Sequence, residues 1–230
     1  DPGADGNLEL LPGKINLPSS GGIYESDGST AVLTESSGAV TLNNISFGAN
    51  VSLPASLGSS MVLIKKVDIS GTPSSVIFDN SDSDVTFDTT YDNYVFYLSN
   101  IIPTTNAVGL VTKLRTNGSD IVYYDHVSLS GGTTTFDYGS NGFYLPSVSN
   151  TESKGGISAT ITLYKPAHST ITTSSTIDWI YYRSNGYVYT GSGGSRVQDQ
   201  TLINGIKFYW ESSSTFKNVG SIAMYGIKNA

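Results

Sequence analysis

Two stretches of the 230-residue chain concentrate side chains that could do chemistry. The first is Asp79-Asn80-Ser81-Asp82-Ser83-Asp84, with Asp88 and Asp92 close behind. Asp79, Asp82 and Asp84 give it the carboxylate density that a hard cation such as calcium takes. The run lacks the glycine and the terminal glutamate of an EF-hand loop, so it reads first as a solvated acidic loop between strands and only second as a metal site. The second stretch is aromatic: Trp179, Tyr181, Tyr182, Arg183, Asn185, Tyr187 and Tyr189. Tyrosine and tryptophan stack on the C–H faces of sugars, and Asn and Arg add directional hydrogen bonds. Alternation along a strand sends about half of these side chains inward. The tip residues Tyr182, Arg183, Asn185 and Tyr187 are therefore the ligand candidates, with a subunit contact as the other and plainer reading of the tip, and Trp179 and Tyr181 are the core candidates. Tyr123, Tyr124, Tyr138 and Tyr144 form a second aromatic set with the same two readings.

Catalytic patterns are weak by comparison. The two histidines, His126 and His168, belong to no metal-binding or nucleophile motif, and no phosphate loop or dinucleotide fingerprint is present. Glycan cleavage needs two carboxylates held roughly 5–10 Å apart. The five glutamates, Glu9, Glu25, Glu35, Glu152 and Glu211, fall in linker, turn or loop contexts with no evident pair. The sequence therefore points to a non-enzymatic protein without a cofactor.

Composition narrows the partners. The formal net charge is −7, and the first 115 residues carry it, with five basic against twelve acidic residues. The remaining residues balance at seven and seven. Nucleic acid is excluded as a partner because phosphate recognition needs a basic face. The neutral back half suits uncharged ligands such as glycans. With no cysteine, neither a disulfide framework nor a thiolate zinc site can form. No apolar run approaches the ~20 residues of a membrane-spanning helix, so membrane insertion is not expected. No signal-peptide pattern opens the chain, and Asp1 in place of an initiator Met points to a processed or trimmed chain.

Ser, Thr, Gly and Asn supply turns, and β-branched and aromatic residues supply strands. Residues 1–22, with three prolines, read as an extended arm. Residues 23–58 break into short β segments punctuated by Gly or Asn. Val32, Val40, Leu42, Ile45, Phe47, Val51 and Leu53 on these segments need apolar partners that segments so short do not provide for themselves. Neighbouring copies of the chain are one source, and the body of the same chain is the other. From about residue 59 to 230, strands recur at roughly 8–15-residue spacing, the pattern of an antiparallel β-sandwich of jelly-roll type. In the run 159–164, Ala159, Ile161 and Leu163 share one face. In the run 176–183, Ile177, Trp179 and Tyr181 share one face and Asp178, Ile180 and Tyr182 the other. Asn117-Gly118 and Asn185-Gly186 are the hairpin-turn signals.

Three segments resemble bacteriophage virion appendage proteins: tail fibres, head fibres and decoration-type structural proteins. They are GGIYESDGSTAVLTESSGAVTLNNISFGANVSLPASLG, similar to fibre shafts, FDTTYDNYVFYLSNIIPTTNAVGLVTKLRTNG, and the closing pair NGIKFYW and GSIAMYGI. The resemblance implies β architecture, a location on the virion, contacts with other capsid or tail proteins, and a homotrimer. It carries over no site residues. The expected role is a trimeric fibre subunit whose β-sandwich head binds a host-surface glycan or protein during adsorption. The alternatives are a capsid decoration protein and, behind it, a polysaccharide-degrading spike.

Overall fold

The computed structural model describes three front strands, by their backbone alone, and residues 61–227 except 122–123, 131–132, 141, 169 and 199; for Tyr124, His126, Ser130, 133–140 and Pro146 it describes the backbone only. The chain divides into two compact units, Asp1–Leu57 and Gly58–Ala230. In the first, β1 (Gly22–Tyr24), β2 (Ala31–Ser36) and β3 (Ala39–Leu42) form a three-stranded antiparallel sheet. The short front segments thus turn back on their own chain, Val40 pairing with Glu35 and Leu42 with Leu33. Ile45, Phe47, Val51 and Leu53 lie outside the described residues, as does the side chain of Val32.

The second unit is all-β. Its strands are β4 (Met61–Asp68), β5 (Ser75–Asp79), β6 (Asn93–Ile101), β7 (Val108–Thr116), β8 (Ser119–Asp120), β9 (Tyr124–Ser130), β10 (Thr133–Ser140), β11 (Phe143–Val148), β12 (Ile157–Tyr164), β13 (Ser174–Tyr182), β14 (Val188–Val197), β15 (Gly205–Trp210) and β16 (Ser221–Ile227). Every pairing is antiparallel. One sheet runs β10-β9-β14-β13-β12-β6-β16-β4 and the other β11-β7-β15-β5, with the two-residue β8 folded onto β7. Among the described residues the helical element is a single 3-10 turn, Glu152–Lys154.

Burial follows the pleat. On β12 the residues Ile157, Ala159, Ile161 and Leu163 are buried and alternate with partly or fully exposed neighbours. On β13 the inward set is Ser175, Ile177, Trp179 and Tyr181. The two sheets meet through aromatic edges. Phe96 on β6 lies 5.6 Å from Phe78 on β5 and 5.8 Å from Phe208 on β15, centroid to centroid. All three are fully buried. Each such side chain contributes about 1.5–3 kcal/mol by leaving water, and edge-to-face rings add to that.

Two turns follow directly from their residues. Asn117 and Gly118 both take positive φ, 47° and 78°, as a two-residue hairpin turn requires, and Arg115 pairs with Asp120 across it. The closing strands behave differently from a hairpin. β15 sits in the smaller sheet and β16 in the larger, between β6 and β4, so the Ser/Thr loop joining them crosses from one sheet to the other. With both edges of β16 paired, its backbone offers no template for aggregation.

Candidate functional site

The acidic loop does not gather its carboxylates around a common point. Asp79 is buried and accepts an ion pair from Arg115 Nη1, while its other oxygen accepts the Ser81 N–H at 3.1 Å and the Ser81 hydroxyl. Asp82 pairs with Lys65, and Asp84 lies 3.9 Å from the same ammonium. The Lys65 hydrogen bond, then the Asp84 N–H, hold the Asp82 carboxyl below its ordinary pKa. Among the described residues no trio of His, Asp or Glu is placed to hold a metal ion. Asp79, Asp82 and Asp84 are thus split between two protein cations, and Asp79 is a buried structural group rather than a solvated one.

The aromatic hairpin forms as a five-residue connection in which the Arg183 carbonyl accepts the Gly186 N–H at 3.0 Å and the Tyr187 carbonyl accepts the Arg183 N–H at 2.9 Å. Its tip is tied to itself. Asn185 Nδ2 donates to the Tyr189 hydroxyl at 2.8 Å, and the Arg183 guanidinium lies 5.5 Å from the Tyr189 ring centroid. Those two neighbours, Asn185 first, lower the Tyr189 pKa. Tyr189 in turn stacks on buried Tyr181 at 5.5 Å. Arg183 and Asn185 are therefore committed to holding the loop. Tyr187 projects freely, 68% exposed. Tyr182 points to the outer face of the larger sheet, where the Lys154 ammonium covers its ring at 5.6 Å.

That outer face holds an extended concavity. Three depressions follow the outward residues of β13. The first, about 160 Å³, lies between Tyr182, Ile180, Ser158, Asn100 and Val188. The second, about 630 Å³, lies between Ile180, Asp178, Tyr97, Thr160 and Thr190. The third, about 430 Å³, lies between Asp178, Thr176, Leu129, Val127 and Ser192. Five neighbouring strands contribute, β6, β12, β13, β14 and β9, and at about 4.8 Å per strand they span roughly 19 Å. Ile180 and Leu129 are about half exposed despite being aliphatic, at 49% and 47%. Asp178 is exposed, and none of the ion pairs or side-chain hydrogen bonds of the described residues includes it.

Glycine positions this surface. A Cβ on Gly191 would stand 2.4 Å from the Leu129 carbonyl oxygen and 2.5 Å from the Trp179 ring, and one on Gly193 would stand 2.7 Å from the Val127 carbonyl oxygen. The absence of side chains there lets β9 approach β14 and lets the Trp179 indole lie over its cross-strand neighbour Gly191. Tyr97 is braced by Tyr225, edge to face at 5.5 Å.

The remaining sequence candidates stand apart. His168 Nε2 is 3.9 Å from Asp92 Oδ1, and the side chains of His126, Tyr123, Tyr124 and Tyr138 lie outside the described set. Tyr144 is half-buried on β11. Glu211 accepts the Gly109 N–H at 2.9 Å and Glu152 pairs with Lys217 at 3.0 Å. Of the four tip residues, only Tyr182 joins the trough. Tyr97, Thr160, Asp178, Ile180 and Thr190 are not among the predicted site residues, although alternation groups Asp178 and Ile180 with Tyr182 on one face of the strand. No protein-family model matches the chain, and no curated protein or solved structure is significantly similar to it.

Proposed function

We propose that the protein is a non-enzymatic virion appendage subunit of a bacteriophage, whose sandwich domain binds the host surface through the outer face of its larger sheet. The carrying observation is the open trough along β13, lined by hydroxyl and apolar side chains and containing one unpaired carboxylate. Such a surface suits recognition more than chemistry, because the site offers no paired acid and base.

The winding of the strands supports a jelly roll. The sets β4-β16-β6-β12 and β5-β15-β7-β11 interleave in the order of an eight-stranded roll, and the β13-β14 and β9-β10 hairpins extend one sheet beyond β12. Viral shell proteins and lectins use that architecture, an analogy at the level of fold. Homotrimerisation rests on the apolar front residues Val32, Val40, Leu42, Ile45, Phe47, Val51 and Leu53, and three copies would turn weak single-site binding into useful avidity. The acidic first 115 residues favour a second reading, docking on the capsid as a decoration protein.

Labelled antibody against the chain, applied to intact particles, separates the two readings by marking tail or head. Light scattering on the purified full chain is expected to give three times the chain mass. Binding of that chain to susceptible cells, with competition against phage adsorption, tests the receptor role. A monomer that neither decorates particles nor touches cells refutes the proposal.

A further inference from the structure

We infer that the outward row Thr176, Asp178, Ile180 and Tyr182 is the floor of a site for a linear, uncharged oligosaccharide. The assignment rests on the binding role proposed above and gives it a ligand class.

The shape argues for a chain. The three depressions are contiguous, since Ile180 belongs to the first and second and Asp178 to the second and third. Residues two apart on one face of a strand are about 6.6 Å apart, so the row from Thr176 to Tyr182 extends roughly 20 Å. A compact ligand is usually held in one enclosed pocket with most of its surface covered. A row of shallow, open subsites instead fits a ligand made of repeating units.

The chemistry argues for a neutral carbohydrate. Thr160, Thr190 and Ser192 present hydroxyls that both donate and accept, while the Ser158 hydroxyl is bonded to the Asn100 backbone N–H and side chain. Tyr97 and Ile180 offer apolar ground for the C–H faces of sugar rings, and the Tyr225 contact holds the Tyr97 ring in advance of binding. The Asp178 carboxylate accepts only, so it selects hydroxyl or amide donors. Uronates, sialic acids and phosphates would bring a second negative charge to Asp178. The cations flanking the row are already engaged: Lys154 lies over the Tyr182 ring at one end, and Arg196, on β14 beyond Thr176 at the other, pairs with Asp125 at 3.4 Å.

An extended peptide fits less well. Strand addition draws its affinity from the free backbone of a sheet edge. The trough instead crosses the face of β12, β13 and β14, each of which has both neighbours in place.

The full chain is applied to a printed array of neutral and uronate-containing oligosaccharides, beside Asp178→Ala, Ile180→Glu and the off-site control Lys66→Ala. Thermal melting first confirms that each variant folds, as expected for outward-facing positions. The expected result is binding to neutral chains that strengthens from one to four units, with no uronate binding. Asp178→Ala should weaken it by roughly tenfold or more, since it removes hydrogen bonds to a charged group. Ile180→Glu should abolish it and Lys66→Ala should leave it unchanged. The inference is overturned if no neutral glycan binds, if affinity is independent of length, or if Asp178→Ala and Ile180→Glu bind like the parent. It is equally overturned if no glycan binds and both substitutions lower the oligomeric mass, which would make the face a contact between copies. A parent chain that coats host cells without binding glycans sinks this assignment alone; one that binds glycans but not host cells sinks the host-attachment role alone.

Discussion

Replacing Arg115 by methionine should be the most damaging single change outside the aromatic core, and its asymmetry with Asp79 is the test. The Asp79 and Arg115 side chains are only 6% and 13% exposed. Arg115 has three partners: Asp79 through Nη1, the Gly118 carbonyl through Nη2, and Asp120 through Nε at 3.1 Å. Asp79 has only the Arg115 guanidinium and the two donors of Ser81. Asp79→Asn thus leaves a cation still paired with Asp120. Arg115→Met leaves a buried carboxylate with no cation. Breaking a buried pair from one side costs about 3–5 kcal/mol, while replacing both partners by apolar groups is often close to neutral. Arg115→Met should sit near the top of that range and Asp79→Asn below its bottom. In a unit of this size each kcal/mol moves Tm by about 2–4 °C, so Arg115→Met should lower it by roughly 10–20 °C. Urea melts of both single variants and of Asp79→Leu/Arg115→Met measure the cycle. Equal losses from the two single variants, or a double variant as unstable as the sum of its parts, would refute the reasoning.

Three further outcomes follow from particular contacts. Tyr94 is fully buried, its hydroxyl donating to the Asp88 carbonyl at 3.1 Å and accepting the Asp88 N–H at 2.9 Å, and burial raises its pKa from 10.0 to about 12. The unfolded chain loses that proton first, so stability should fall as pH rises above the ordinary tyrosine value, by up to roughly 3 kcal/mol before levelling. Urea midpoints of Tyr94→Phe should show a shallower alkaline limb. Asp82 has the opposite sign: its lowered pKa contributes stability above the ordinary 3.8 that is lost as pH falls through the folded value, and Asp82→Asn should flatten the acid limb of the same melts. Gly191→Ala should cost about 1–3 kcal/mol through overpacking, with faster amide exchange in β9 and β14 and none in β5 or β15.

Where a strand buries one face and exposes the other, its role is written in its period. The Ala159, Ile161, Leu163 set and the Ile177, Trp179, Tyr181 set each share one face as alternation predicts, and that face is the inward one; Asn117-Gly118 makes its hairpin. β14 shows why composition misleads. The pattern reads as a strand over 187–191 followed by a Gly/Ser loop, yet the strand continues through Ser192-Gly193-Gly194-Ser195 to Val197. The glycines are there because the β9 backbone comes too close for side chains, a requirement visible only once β9 is in place. β11 is hard to read from the sequence for a related reason. Pro146 interrupts its pattern, but it lies where the register with β7 shifts, on the edge strand of the smaller sheet, where a missing N–H is tolerated. The buried role of Asp79 depends on Arg115, 36 positions away, and no local pattern in the acidic run announces it.

The trough has the same origin in long-range pairing. β6 and β12 belong to the eight interleaved strands that the aromatic core holds together. β13, β14 and β9 belong to two hairpins inserted at different points of the chain, one between β12 and β15 and one between β8 and β11. The hairpins meet only because β9 pairs with β14, Leu129 opposite Ser192 and Val127 opposite Gly194. That pairing brings two exposed aliphatic residues beside Asp178 and extends the concavity past β12 and β13. A sheet ending at β12 would lack Asp178, Ile180 and Tyr182, and with them the whole floor. The strands of the aromatic core therefore supply rigidity, and the two hairpins supply most of the surface proposed above for recognition, as expected where function is added to a stable scaffold.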